Sequence, residues 1–133
     1  MICKKVTIIT NNSNVCGKYD KKYQINYTDG TLLDVLKITR DKIHDGYKLL
    51  SHPLSGSVKP NETVYKSVIV SNEKGNLDIE SLMFIESAIE TAEKFINMKQ
   101  PPSWNNEILS DFREIDCTLI DSAIESMETY SKI

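Results

Sequence analysis

The residues best equipped for chemistry crowd into one polar stretch, Ser51-His-Pro-Leu-Ser-Gly-Ser-Val-Lys-Pro-Asn-Glu-Thr-Val-Tyr-Lys-Ser67. His52 is a candidate acid or base, because imidazole titrates near neutral pH. Ser55 or Ser57 could serve as its nucleophile, and Glu62 or Asp29 could orient it. No triad or nucleophile-elbow spacing accompanies them. The same stretch suits an anion. Ser55-Gly56-Ser57 followed by Lys59 offers backbone N–H groups freed by glycine, two hydroxyl donors and one ammonium. The spacing is neither that of a Walker loop nor that of a dinucleotide fingerprint, and no helix follows directly to add its dipole. Binding is therefore expected ahead of catalysis. The expected ligand set is Asn11, Asn12, His52, Ser55, Gly56, Ser57, Lys59, Asn61, Glu62 and Lys66.

Other constellations are thinner. His44 and His52 are the only histidines, and Asp41 and Asp45 share a helix face at i, i+4. No dense ligand spacing joins them, so neither a metal nor a cofactor is expected. Cys3, Cys16 and Cys117 are widely spaced and form no C-x-x-C pair, which fits reduced thiols in a reducing compartment. Cys16, beside Gly17, is the one to test for reactivity.

The elements that position these residues follow from pattern. Val6 to Thr10 reads as a central strand and Gln24 to Thr28 as a more polar edge strand. Asp29-Gly30 is a turn. Thr31 caps a helix with Asp34 in the reciprocal position, and Gly46 closes it. Leu32, Val35, Leu36 and Ile43 face a sheet. Tyr47 to Leu50 and Lys66 to Val70 read as strands bracketing the polar loop. Asp78 caps a helix with the stripe Leu82, Ile85, Ile89, Ala92 and Ile96, which stops before Pro101-Pro102. A last acidic helix, about Glu107 to Tyr130, breaks or bends around Arg113–Cys117 and carries the stripe Leu119, Ile120, Ala123, Ile124 and Met127. These two stripes are core, or the seam of a homodimer. Trp104 is a packing anchor or an exposed contact residue.

The pattern predicts an α/β fold: a single three-layer domain over 1–133, with a small, mainly parallel sheet like half of a Rossmann fold, and C-terminal helices. If the strands at 6–10 and 47–50 are parallel neighbours, the polar loop emerges beside Asn11 and Asn12, at the carboxyl edge where such sheets bind ligands.

Composition bounds the function. The 133 residues are 40% hydrophobic and 26% charged, ordinary for a globular chain. No apolar run approaches the ~20 residues of a membrane span. The first ten residues read as a strand rather than a signal peptide, so a cytoplasmic protein with no membrane partner is expected. The net charge of −3 hides a split. The sheet-rich half, residues 1–72, carries 11 Lys/Arg against 6 Asp/Glu; the helical half, 73–133, carries 5 against 13. The basic half favours an anionic ligand, and the acidic half argues against nucleic acid.

The run Leu49 to Ser67, with its His-Pro-Leu-Ser-Gly-Ser-Val-Lys-Pro-Asn-Glu-Thr block, resembles the signature of the GrdX family. Asp29-Gly-Thr-Leu-Leu-Asp-Val-Leu, the helix to Gly46 and the strand Val68-Ile-Val-Ser71 sit where that family has them, and the similarity spans roughly residues 5–98. The resemblance implies a small accessory or regulatory protein of the glycine reductase system of anaerobic amino-acid-fermenting bacteria. That system, with relatives acting on sarcosine and betaine, yields acetyl phosphate through selenoprotein and thioredoxin chemistry. GrdX proteins are not among its catalytic subunits, and no catalytic residues carry over. The implied partners are glycine reductase components or a small anion, met through the loop 51–66. The alternative is a small hydrolase or transferase using His52.

Overall fold

A computed structural model of the chain describes residues 3–54, 63–99 and 102–131. Three strands form one sheet: β1 (Cys3–Thr10), β2 (Tyr23–Tyr27) and β3 (Ser67–Ser71), in the order β2-β1-β3. Four helices accompany them: α1 (Ser13–Tyr19), α2 (Leu32–His44), α3 (Ile79–Met98) and α4 (Asn106–Ser131). The class is α/β, but the sheet is mixed. β1 pairs with β2 in parallel and with β3 antiparallel, with Thr10 opposite Ser67.

Alternation along β1 divides the core between two faces. Val6 and Ile8 join Val15, Tyr19, Tyr23, Ile69, Ile120 and Ile124 under α1 and α4. Ile9 joins Val68, Val70, Leu36, Ile43, Ile85 and Ile89 under α2 and α3. β3 is buried on both faces, which accounts for its unbroken Val68-Ile69-Val70 run. Each such side chain contributes roughly 1.5–3 kcal/mol of transfer free energy.

The helix ends follow their local chemistry. Thr31 Oγ1 accepts the Asp34 N–H while Asp34 Oδ2 accepts the Thr31 N–H, so α2 opens on a complete capping box. It closes at Gly46, whose φ of +105° only glycine adopts without strain. A Cβ there would also lie 2.2 Å from the Gly75 carbonyl oxygen. Asp78 caps α3 by accepting the Ser81 N–H. α4 runs as one helix of 26 residues, without the interruption expected at Arg113–Cys117, and no glycine or proline occurs within it.

One expected strand is reduced. Of residues 47–50 only Leu49 bridges a strand, antiparallel to Val70 of β3, not parallel to β1. Two backbone bonds flank that bridge, from the Leu50 N–H to the Ile69 carbonyl and from the Ser71 N–H to the Lys48 carbonyl. The Lys48 and Ile69 N–H groups that would extend it are taken by the Ser71 and Ser51 hydroxyls, so no regular ladder follows. Because β3 is itself antiparallel to β1, this segment still runs in the direction of β1. The chain therefore leaves it, and re-enters β3, at the carboxyl end of β1. Among the described residues no helix is long and apolar enough to cross a membrane.

Candidate functional site

Where β1 ends, its last residue and the two that follow turn polar, and all are buried: Thr10, Asn11 and Asn12. Buried polar groups must be paired. Asn11 joins three segments: its Nδ2 donates to the Gly30 (3.1 Å) and Val64 (2.7 Å) carbonyls, and its Oδ1 accepts the Lys66 N–H at 2.8 Å. Asn12 caps α1 by accepting the Asn14 N–H at 3.0 Å. Its Nδ2 donates to the Arg113 carbonyl (2.9 Å) and to Asp116 Oδ2 (3.0 Å), tying α4 to the sheet edge.

The antiparallel register sets Ser67 beside Thr10, their hydroxyls 2.7 Å apart. Ser67 Oγ donates to Asp116 Oδ2 at 2.7 Å. A hydroxyl has one proton to give, so the Thr10 hydroxyl donates to Ser67 while accepting the Asn12 N–H at 2.9 Å. The chain of donors thus ends on one carboxylate oxygen.

Lys66 and Asp116 are 7% and 5% exposed. Burial lowers the Lys66 pKa, and the Asp116 charge opposes that. Burial raises the Asp116 pKa, against the Asn12 and Ser67 hydrogen bonds and the Lys66 charge. Each group feels the other's field, yet they form no ion pair. Among the described residues the Lys66 ammonium has no hydrogen-bond partner or paired carboxylate. Next to it, Tyr65 lies under the Arg113 guanidinium, 5.5 Å from the ring centroid, and accepts a 2.7 Å bond from Nη1. Arg113 likewise has no carboxylate partner among the described residues. Two cations and a phenol thus stand at the edge where the polar loop returns.

Of the expected ligand set, Asn11, Asn12 and Lys66 come together here. The two asparagines hold the edge in shape with side chains already engaged, while the Lys66 ammonium has no hydrogen-bond partner among the described residues. His52 sits in a separate cleft of about 250 Å³ lined by Leu49, Leu50, Pro53, Asp78, Ser81 and Phe84. It is exposed, its ring is 6.0 Å from that of Phe84, and its Nδ1 accepts the Leu54 N–H. That bond places the imidazole proton on Nε2 in the neutral ring. Asp78 and Ser81 line the same cleft but bond to each other. Ser55, Gly56, Ser57, Lys59, Asn61 and Glu62 lie outside the described residues. No group of three or more metal-ligating side chains occurs among the described residues. Cys16 and Cys117 are free thiols, and burial pushes the Cys117 pKa up, away from reactivity.

Asp116, Ser67, Arg113 and Tyr65 were not among the expected residues. Asp116 carried one signal: it stands four residues before Ile120 on the apolar stripe of α4, where an aspartate needs a buried partner.

Residues 7–125 match the family described as GrdX-like protein. The chain belongs to the GrdX-like family. The match takes in β3, α3 and most of α4, so Asn11, Asn12, Lys66, Arg113 and Asp116 all fall inside it. Membership in the GrdX-like family implies association with the glycine reductase system. No curated protein and no solved structure matches the chain.

Proposed function

We propose that this protein is a non-catalytic accessory of the glycine reductase system that holds a small anion beside Lys66 and Arg113, at the carboxyl end of β1. The observation that carries this reading is Lys66, a lysine only 7% exposed whose ammonium has no hydrogen-bond partner among the described residues. Burying a charge costs several kcal/mol unless a counter-charge accompanies it. Asp116 supplies only part of that, because its Oδ2 is committed to Asn12 and Ser67. A ligand anion would supply the rest, and Arg113 would add a planar fork suited to a carboxylate or phosphate. The net positive charge of residues 1–72 supports the same sign of ligand. A system that yields acetyl phosphate offers ligands of this kind.

Calorimetric titration with acetyl phosphate, inorganic phosphate, glycine and ATP tests the reading. Saturable binding of at least one anion, weakened about tenfold or more by Lys66→Met, is expected for loss of a charge-assisted hydrogen bond. If none of the four gives heat or raises the melting temperature, the reading fails.

A further inference from the structure

Large apolar side chains exposed to solvent gather at the start of α3. Ile79 is 59% and Met83 67% exposed, with Phe84 and, from the neighbouring segment, Leu50 also uncovered. Ile79 and Met83 stand one turn apart and form a ridge along the helix. Phe84 looks over the cleft that it lines with Leu50 and His52. The buried face of the same helix is a separate set, Ser81, Ile85, Ala88, Ile89 and Ala92. The helix therefore has its core contact already, and the ridge is surplus to folding.

Glutamates rim this ridge. Glu80 lies between the ridge and the cleft, and Glu86 and Glu90 continue the outer face toward the next turns. Among the described residues none of Glu80, Glu86, Glu90 and Glu93 forms an ion pair. Glu80 holds its position in the first turn with the helix dipole, but Glu86 and Glu90 have no such support. Lys48 lines the cleft and its charge acts on Asp78, which leaves the glutamates of the outer face unpaired among the described residues. An apolar ridge bordered by them is a composite surface. Its complement is apolar in the centre and basic at the rim.

We infer that the outer face of α3, centred on Ile79, Met83 and Phe84, docks a basic amphipathic helix of another protein, with one of its apolar side chains seated in the cleft between Phe84 and Leu50. A second copy of this chain is the poorer occupant. A two-fold pairing of the face on itself would set the unneutralised glutamates of one α3 against those of the other. Methionine at the most exposed position suits a surface that adapts to a partner helix. This surface is distinct from the anion site.

The test uses the full chain and an 18-residue leucine/lysine amphipathic peptide, with a leucine/glutamate twin as control, read by fluorescence anisotropy. The lysine peptide should bind and its twin should not. Ile79→Ser/Met83→Ser should weaken binding about tenfold, as loss of central apolar anchors does, whereas Met98→Ser/Ile115→Ser should leave it within about twofold. All four positions are exposed, and unchanged melting would show that the variants fold. Failure of the lysine peptide to bind overturns the proposal. So does equal binding to wild type and to the Ile79→Ser/Met83→Ser variant, which would mean charge attraction alone. A dimer in sedimentation that the same variant disperses also overturns it, by giving the face to a second copy. None of these outcomes bears on Lys66.

Discussion

Asp116 Oδ2 accepts hydrogen bonds from both Asn12 Nδ2 and Ser67 Oγ, at 3.0 and 2.7 Å, so one oxygen fastens α4 to β3 and to the α1 cap that follows β1. Replacing it by alanine removes the Ser67 hydroxyl's acceptor and one of the two acceptors of the Asn12 amide, and takes from Lys66 the opposing charge that favours its ammonium. Asp116→Ala is expected to lose about 3 kcal/mol of stability, the usual result of removing one partner from a buried charged network. Urea unfolding measures it. Ser67→Ala, which leaves the Asn12 contact in place, should lose about 1 kcal/mol.

The same carboxyl gives a pH signature. Its folded pKa is raised, chiefly by burial, so the folded state holds the proton more tightly than the unfolded chain. Unfolding stability should therefore fall as pH rises from the ordinary aspartate range to the pH at which the folded carboxyl ionises, and then level off. Asp116→Asn should lack that descending segment. Stability curves of the two proteins over the acidic range, compared at equal ionic strength, check it.

Gly46→Ala places a Cβ on a residue with φ of +105° and 2.2 Å from the backbone oxygen of Gly75. The obstacle is main chain, so no rotamer relieves it. A loss of about 2 kcal/mol or more is expected, against the small gain alanine brings where φ is negative. Thermal melting of the variant reads it directly.

Arg113→Gln keeps a donor for Tyr65 but removes the charge. Anion affinity should drop about tenfold, while stability changes by less than about 1 kcal/mol, because the guanidinium is only half-buried. Loss of folding without loss of affinity in the remaining folded protein would assign Arg113 to packing alone.

Trp104 meets Phe112 edge-on at 5.0 Å, and its buried Nε1–H has no acceptor among the described residues. Trp104→Phe preserves an aromatic contact and deletes an unpaired donor, so stability should stay within about 1 kcal/mol or rise. Trp104→Ala should cost about 2 kcal/mol by losing the ring itself. Chemical denaturation of the pair separates the two effects.

The local features were legible because they depend on a few adjacent residues. The Thr31–Asp34 box, the Asp78 cap and the closure at Gly46 need only side chains within one turn, and the sequence places them there. The α2 stripe was legible for the same reason: Leu32, Val35, Leu36 and Ile43 are all buried. Strand direction was not. Residues 47–50 have strand composition, but whether they form a ladder depends on the Ser71 and Ser51 hydroxyls that take the Lys48 and Ile69 N–H groups. β3, rather than this segment, pairs with β1, and it does so antiparallel. The site was legible by half. Asn11, Asn12 and Lys66 flank the sheet edge, whereas Arg113 and Asp116 arrive from a helix 100 positions along the chain. Only the aspartate on an apolar stripe hinted at them.

The contact between Asn12 and Asp116 also sets an order of events. Residues 10–12, 64–67 and 113–116 come from the start, middle and end of the chain, so the polar edge cannot assemble until α4 has emerged and docked. While the chain is being synthesised, Asn12 and Ser67 wait without their acceptor, and such distant contacts form late because closing the intervening chain is entropically costly. A nascent chain would therefore carry its first strands well before it carries a binding site, and ligand capture would report completion of the final helix.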